Sequence, residues 1–199
     1  SPAKKMTYHG QSGFTETGYS CGYTQMKAQG RILSAGQLEH VQGTVWFDHE
    51  KFASSPVLFQ PIEDRICLQF ETGELLISRR PDITFAEWIN ESGEVKHLIA
   101  SEIDLQTLEY WTSPRTQARY PSKLRIRIET LGLDCDVRPA VVHQELDATR
   151  TTLQPYWSGL VLAKGTKQGQ NFEALGFAEY VGYDHRPRAK LFEFLTKTN

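Results

Sequence analysis

Long apolar runs are missing from this chain. Nowhere do the roughly 20 consecutive apolar residues of a bilayer-spanning helix occur, so no membrane span is expected. Positive charge is not in surplus either: the formal net charge is -2, which gives no electrostatic case for a nucleic-acid partner. Cysteine is scarce. Cys21, Cys67 and Cys135 lie far apart, with no C-x-x-C pair and no even framework, which argues against both a disulfide scaffold and a zinc site. There is no Gly-rich phosphate loop, no G-x-S-x-G and no H-E-x-x-H, so no metal and no cofactor is expected. The start, Ser1-Pro-Ala-Lys-Lys, lacks the apolar core of a signal peptide and has no Met, which points to a processed product or an excised piece and leaves the compartment unread. A sustained helical period is absent too.

What the chain does have is β-forming sequence. Its 199 residues, 39% hydrophobic and 23% charged, suit one globular domain with a sizeable core. Residues 1–18 are polar and Gly-rich and read as an N-terminal arm or interdomain segment, leaving 19–199 as the folded domain. Within it, Tyr19–Leu33 and Leu38–Phe47 form a hairpin about Ser34-Ala35-Gly36. Lys51–Pro61, with two prolines, reads as a loop. Two further hairpins turn on Glu71-Thr72-Gly73 and Glu91-Ser92-Gly93, where glycine makes a positive φ cheap. Lys123–Glu129 alternates without a fault, as a strand with one buried and one wet face does. Arg138–Pro155 is a polar connector holding His143 and Glu145, and Tyr156–Ala163 and Phe172–Tyr183 are closing strands separated by a Gly-containing loop. Ala189–Leu195 reads as a last strand or a short helix. About ten short strands with Gly-centred turns predict an antiparallel barrel or sandwich, and the barrel is preferred because closure removes exposed edges.

One stretch concentrates the chemistry. Gly43-Thr44-Val45-Trp46-Phe47-Asp48-His49-Glu50 runs from β-forming residues into two carboxylates and an imidazole beside large aromatic surface. On an unbroken strand Trp46, Asp48 and Glu50 share a face, successive members about 6.5 to 7 Å apart, and His49 faces the other way. Val41, Val45 and Phe47 make the opposite face, the kind normally buried, so Asp48 faces a ligand only if something else covers the apolar side. The competing reading makes Asp48, His49 and Glu50 a rim cluster that hydrogen-bonds loop backbone.

Four stretches carry a resemblance. Val41-Gln42-Gly43-Thr44-Val45-Trp46-Phe47-Asp48-His49-Glu50 resembles the V-x-G-x-A-W-x-D-H-E segment of the AttH/CrtC family. Trp111-Thr112-Ser113-Pro114 with Tyr120-Pro121 is similar to its W-x-S-P…Y-P, Tyr156-Trp157-Ser158-Gly159 to its Y-W-E-G, and Gly176–Tyr183 to its closing G-Y-x-E-L-T-G-Y. Lys51, Ser158 and the thinned Gly22-Tyr23-Thr24 depart from the pattern. The resemblance implies an all-β, antiparallel lipocalin-like (calycin) β-barrel of about 8–10 strands. It also implies a second domain joined to the end of a first, so that an N-terminal lipocalin-like domain is an expected partner. Family members, carotenoid 1,2-hydratase among them, are often secreted or periplasmic.

Hydration of an isolated alkene requires a proton donor, a surface that stabilises a carbocation, and a base for water. By that resemblance Asp48, its pKa raised among apolar groups, is the candidate acid, and Glu50 or His49 the candidate base. Trp46, Tyr110, Trp111, Tyr156, Trp157 and Tyr180 are the candidate ligand contacts, each ring face worth about 1 to 2 kcal/mol against a developing cation. Core or rim packing is the competing role for Trp111, Tyr156, Trp157, Tyr180 and Tyr183. Three functions stay open: a hydratase-like lyase or cyclase acting on an apolar unsaturated small molecule, a carrier of an isoprenoid, polyene or lipid, and a structural half that docks another domain.

Overall fold

The computed structural model describes residues 18–52, 62–148 and 154–185, with the backbone alone described at 18–25 and 48–52. The chain divides into two compact units between residues 56 and 57. Residues 1–17 of the expected arm over 1–18, residues 53–61 of the expected loop Lys51–Pro61 and the expected tail element Ala189–Leu195 lie outside the described residues, while Gly18, Lys51 and Phe52 are strand residues, not arm or loop.

The first unit holds β1 (Gly18–Ser34) and β2 (Gln37–Phe52), paired antiparallel. Ala35 and Gly36, at φ 47° and 81°, form the two-residue turn whose twist matches that of its strands. The register runs from Ser34↔Gln37 to Gly18↔Phe52 with one shift, between Tyr23↔Phe47 and Met26↔Val45. Thr24 and Gln25 therefore lie across from Trp46 alone, the two-against-one count of a β-bulge. Val45 and Phe47, on the face expected to be the buried one, are 42% and 48% exposed. Trp46 is the better covered. A two-stranded ribbon has no second layer of its own to bury an apolar face.

The second unit is one curled antiparallel sheet. Its strands are β3 (Glu63–Phe70), β4 (Gly73–Arg79), β5 (Thr84–Asn90), β6 (Val95–Ile99), β7 (Asp104–Thr112), β8 (Arg119–Ile128), β9 (Leu133–Pro139), β10 (Glu145–Leu146), β11 (Tyr156–Lys167) and β12 (Gln170–Val181). The order is β6-β5-β4-β3-β12-β11-β9-β8-β7, with β10 on β11. No α-helix occurs among the described residues, and the sheet curls into a half-barrel, in keeping with the all-β antiparallel barrel expected from the sequence. Period-2 alternation sends Ile66, Leu68, Leu75, Ile77, Leu124, Ile126, Ile128, Cys135, Val137, Val161 and Ala163 into one buried core on the inner face. The Gly73 turn, at φ 146°, fixes the β3–β4 register so that Leu68 meets Leu75 and Ile66 meets Ile77.

The β11–β12 connection is shorter than expected. Both strands run on until Lys167 pairs with Gln170, leaving only Gln168 and Gly169 in the turn. Gly165 is thus a strand residue, not a loop one. A Cβ there would come within 2.1 Å of the Asp134 carbonyl oxygen, so glycine permits the close approach of β11 to β9. Gly176 has the same part against β3, with a Cβ 2.2 Å from the Cys67 carbonyl oxygen. Gly165→Ala and Gly176→Ala should each lower stability by about 2 kcal/mol through forced backbone shifts. Gly43→Ala, with nothing within 4 Å, should stay within about 0.5 kcal/mol. Urea denaturation of the three variants checks both statements.

Candidate functional site

The inner face changes character along its length. At the β3–β4 turn it is apolar and aromatic, with Phe70 5.4 Å from Trp88 and 4.9 Å from Phe172, ring centre to ring centre. Six rungs on from Phe70↔Gly73, the same alternation places Asp64 opposite Arg79, a charged pair next on the inner face after Ile66↔Ile77. Asp64 is 1% exposed. Its carboxylate accepts from Arg79 Nε at 2.7 Å and from the Tyr183 hydroxyl at 2.7 Å. The Arg79 guanidinium continues to β7, donating to Thr107 Oγ1 at 3.3 Å and reaching the Leu105 carbonyl at 3.5 Å. Burial pushes the Asp64 carboxyl up from its ordinary value, against the opposing pull of Arg79 and the Tyr183 hydrogen bond.

Aromatic rings surround this pair because neighbouring strands place them at the same level. Tyr180 of β12 is registered on Asp64 and on Trp157 of β11, their rings 5.2 Å apart. Tyr183 lies 6.3 Å from Tyr180 and 5.5 Å from Tyr120 of β8. Trp111 of β7 stacks on Tyr120 at 6.1 Å, and His143 meets Trp111 edge-on at 5.1 Å. Trp157 donates its indole N–H to the Val142 carbonyl at 2.7 Å.

A second buried carboxylate serves the same end. The Glu145 side chain, from two-residue β10, accepts from the hydroxyls of Ser113 at 2.6 Å, Tyr120 at 3.0 Å and Thr116, and from Arg115 Nε at 3.4 Å. Ser113 and Thr116 belong to the turn after Trp111, where the Ser113 N–H donates to Ala118 O and Gln117 takes φ 64°. Burial pushes the hydroxyls of Tyr120, Tyr180 and Tyr183 well above the ordinary phenol range, and the carboxylates beside them push the same way. All three stay protonated at any physiological pH. Each carboxylate thus fixes the proton of one tyrosine: Tyr183 on Asp64, Tyr120 on Glu145.

The sequence candidates divide over this arrangement. Trp111, Trp157 and Tyr180 come together on the inner face, with Trp157 and Tyr180 packed in the core at 1% and 2% exposure and Trp111 partly open. Tyr110 and Tyr156 do not join them. Tyr110 is 49% exposed on the outer face with the Arg119 guanidinium 4.8 Å over its ring, and Tyr156 alternates outward from Trp157. Trp46 belongs to the first unit, where its indole N–H is enclosed and has no acceptor among the described residues. For Asp48, His49 and Glu50 the backbone is described and pairs with Gly22, Cys21 and Ser20 on an unbroken stretch of ladder, while their side chains lie outside the described residues. Asp64, Arg79, Tyr120, Glu145 and Tyr183 were not among the candidates. The Asp64–Arg79 pair is countable from the Gly73 turn, since a tight hairpin fixes the partners of every later rung. Glu145 has no such signal, because its partners Ser113 and Thr116 stand 32 and 29 residues away. A recess of about 510 Å³ lies towards the opposite end of the β11–β12 ladder, lined by Lys164, Thr166, Asn171 and Glu173, and takes no part in the cluster.

Comparison with known proteins follows the same lines. The family model for AttH-like proteins matches residues 1–183. No curated protein matches. Among solved structures, an AttH protein from Nitrosomonas europaea is 25% identical, with a TM-score of 0.71 over 85% of this chain and 53% of that one. Kievitone hydratase from Nectria haematococca is 18% identical, with a TM-score of 0.67 over 84% of this chain and 54% of that one, a likeness of fold. The chain spans about half the length of the solved structures it matches.

The Asp64–Arg79 pair makes a sharp prediction. Asp64→Ala leaves a guanidinium facing the core without its counter-charge and should cost about 3 kcal/mol or more, whereas Asp64→Leu with Arg79→Met should recover most of that loss. Thermal or urea denaturation reads both, and a single variant within about 1 kcal/mol of the parent would show that water already solvates the pair.

Proposed function

The chain belongs to the AttH-like family, and we propose that on this lipocalin-like frame it binds an apolar, unsaturated small molecule and adds water to one of its double bonds. The observation that carries the reading is the regular ladder under the Phe47–Glu50 segment. With Gly22↔Asp48, Cys21↔His49 and Ser20↔Glu50 paired in sequence, Asp48 and Glu50 occupy alternate positions of a true strand and share a face. The bulge opposite Trp46 adds support, since bulges re-aim side chains and gather beside functional sites. The enclosed, unaccepted N–H of Trp46 is a donor that a ligand oxygen would satisfy.

In this reading Asp48 gives its proton to one alkene carbon, and the π pair becomes the new C–H bond. Water attacks the cation left on the other carbon, and Glu50 or His49 takes the proton that water sheds. Aromatic faces stabilise the cation. An N-terminal lipocalin-like domain as partner is supported by the half-length match to both solved structures.

A non-catalytic carrier of an isoprenoid, polyene or lipid is the second reading. It is favoured by the filled interior of the half-barrel, where Trp157 and Tyr180 are occupied with packing and Asp64 and Glu145 with holding tyrosines. Asp48→Asn separates the two. The hydratase reading expects tryptophan-fluorescence titration with an acyclic polyene to give the same affinity within about threefold, with formation of a product heavier by one water, followed by mass spectrometry, slowed by about 10²-fold or more. Turnover that survives the substitution unchanged removes Asp48 as the acid. Equal binding by both proteins with no product from either supports the carrier.

A further inference from the structure

The alternation that fills the core of the second unit also sets what its outer face should carry. Over β8 and β9 the outward positions hold charge, Lys123 and Arg125 paired with Asp136 and Asp134, as the solvated face of an antiparallel sheet does. On β11 and β12 they do not. Val161 and Ala163 point inward, so Leu160 and Leu162 point outward, and the inward Ala174 and Ala178 leave Leu175 and Phe177 outward. These four are between 38% and 55% exposed. They make two neighbouring outward rungs, Leu160 opposite Phe177 and Leu162 opposite Leu175. Because β11 and β12 lie between β9 and β3, the patch is central to the sheet and not a frayed edge. Apolar patches of a few hundred Å² with a polar border mark interaction sites on soluble proteins. The border here is the next outward rung, where exposed Lys164 donates to exposed Glu173 at 2.6 Å.

Symmetry and charge narrow what fits this patch. Two copies related by a two-fold axis use the same surface on both sides, so that residue i meets j and j meets i. With the axis running along the strands between β11 and β12, the β11 of each copy faces the β12 of the other at the level of the same rung. Leu160 then meets the partner's Phe177, Leu162 the partner's Leu175, and Lys164 the partner's Glu173. Every apolar side chain is matched by another, and both charged contacts join opposite signs. Lys164 and Glu173 cancel, so the border has no surplus charge with which to select an acidic or a basic partner.

We propose that the outer face of β11 and β12 is an interface between two copies of this chain, an isologous contact centred on Leu160, Leu162, Leu175 and Phe177, with Lys164 and Glu173 exchanging partners at its border. Four strands about 4.8 Å apart, β9 and β3 flanking the central two from Ser158 to Lys164, make a face of roughly 450 Å² per copy. That area lies near the lower limit of specific interfaces, so the dimer is a weak one, with a Kd on the order of 10 to 100 µM.

Sedimentation velocity on the unaltered chain, from about 1 to about 500 µM, reads the association. The weight-average mass should rise from 22.7 kDa towards twice that value. Leu175→Lys removes two apolar contacts per dimer and should raise Kd by about 100-fold. Ile83→Lys, at a likewise exposed apolar residue in the β4–β5 turn, should leave Kd within about twofold. Neither change touches the core, so both variants should fold. Lys164→Glu and Glu173→Lys each set like charges face to face and should weaken the dimer by about fivefold, while the double variant should return to within about twofold of the parent. A chain still monomeric at the highest concentration overturns the proposal, as does association that Leu175→Lys leaves intact. Failure of the double charge reversal to recover what the single changes lose overturns the isologous contact.

Discussion

The structure of the second unit depends on what happens at the last rung of the β3–β4 hairpin. Up to Ile66↔Ile77 the inner face needs nothing but aliphatic volume, and the hydrophobic effect at about 25 cal/mol per Å² is enough to hold it. Two rungs further, the next on that face, the chain places a carboxylate opposite a guanidinium in a site where Asp64 has almost no solvent contact. A buried ion pair contributes little net stability, because desolvation consumes most of its Coulomb energy. Its worth is geometric. Arg79 has donors left after Asp64, and it places them on Thr107 and Leu105 of β7, a strand that lies at the far edge of the sheet order. An antiparallel sheet with β6 at one edge and β7 at the other is an open surface in its hydrogen bonding. The guanidinium joins the inner side of β4 to β7 and so sets how far the surface curls.

From that constraint the polarity of the interior follows. The end near Gly73 is sealed by Phe70, Trp88 and Phe172, with the Lys167 ammonium 4.5 Å over the Trp88 ring covering it from the β11–β12 turn. The end near Asp64 holds hydroxyls instead. Tyrosine suits this level because its ring packs against Trp111, Trp157 and its neighbours while its oxygen reaches a buried carboxylate. Glu145 completes the scheme from outside the main ladder. It gathers the Ser113–Thr116 turn and Tyr120, so a β10 only two residues long is held more by side chains than by its own backbone pairing.

The fold was legible in the chain because its signals are local. Turn glycines at 36, 73 and 93 and the unbroken alternation of Lys123–Glu129 specify hairpins and faces within a few residues. Local reasoning failed at Gly165, which was read as a loop residue because a glycine between two lysines and a threonine looks the same whether it breaks a strand or lets two backbones approach. The site was legible only where it shares that locality. Trp111, Trp157 and Tyr180 announce themselves as aromatics in β-forming runs, but which side of the sheet each takes depends on bulges such as those between Thr107 and Tyr110, and one skipped residue sends Tyr110 outward and Trp111 inward. Asp64 and Glu145 look like ordinary surface charges until the pairing of strands shows their carboxylates buried.

The same logic bears on the first unit. Sequence alternation alone makes Val41, Val45 and Phe47 the face to bury and leaves Trp46, Asp48 and Glu50 facing water, and on that argument the carboxylates are ornaments of a surface strand. Val45 and Phe47 are nonetheless about half exposed, and Trp46 is the residue that is covered. The bulge bears on this discrepancy: two residues facing one increase the local twist, so the face that carries Trp46 just before Asp48 is not a simple continuation of the ribbon towards its turn. Enclosing an indole N–H that has no acceptor among the described residues is costly for a side chain that could have been aliphatic. A tryptophan at that position, opposite a bulge, is the one feature of the first unit that aliphatic packing alone does not account for.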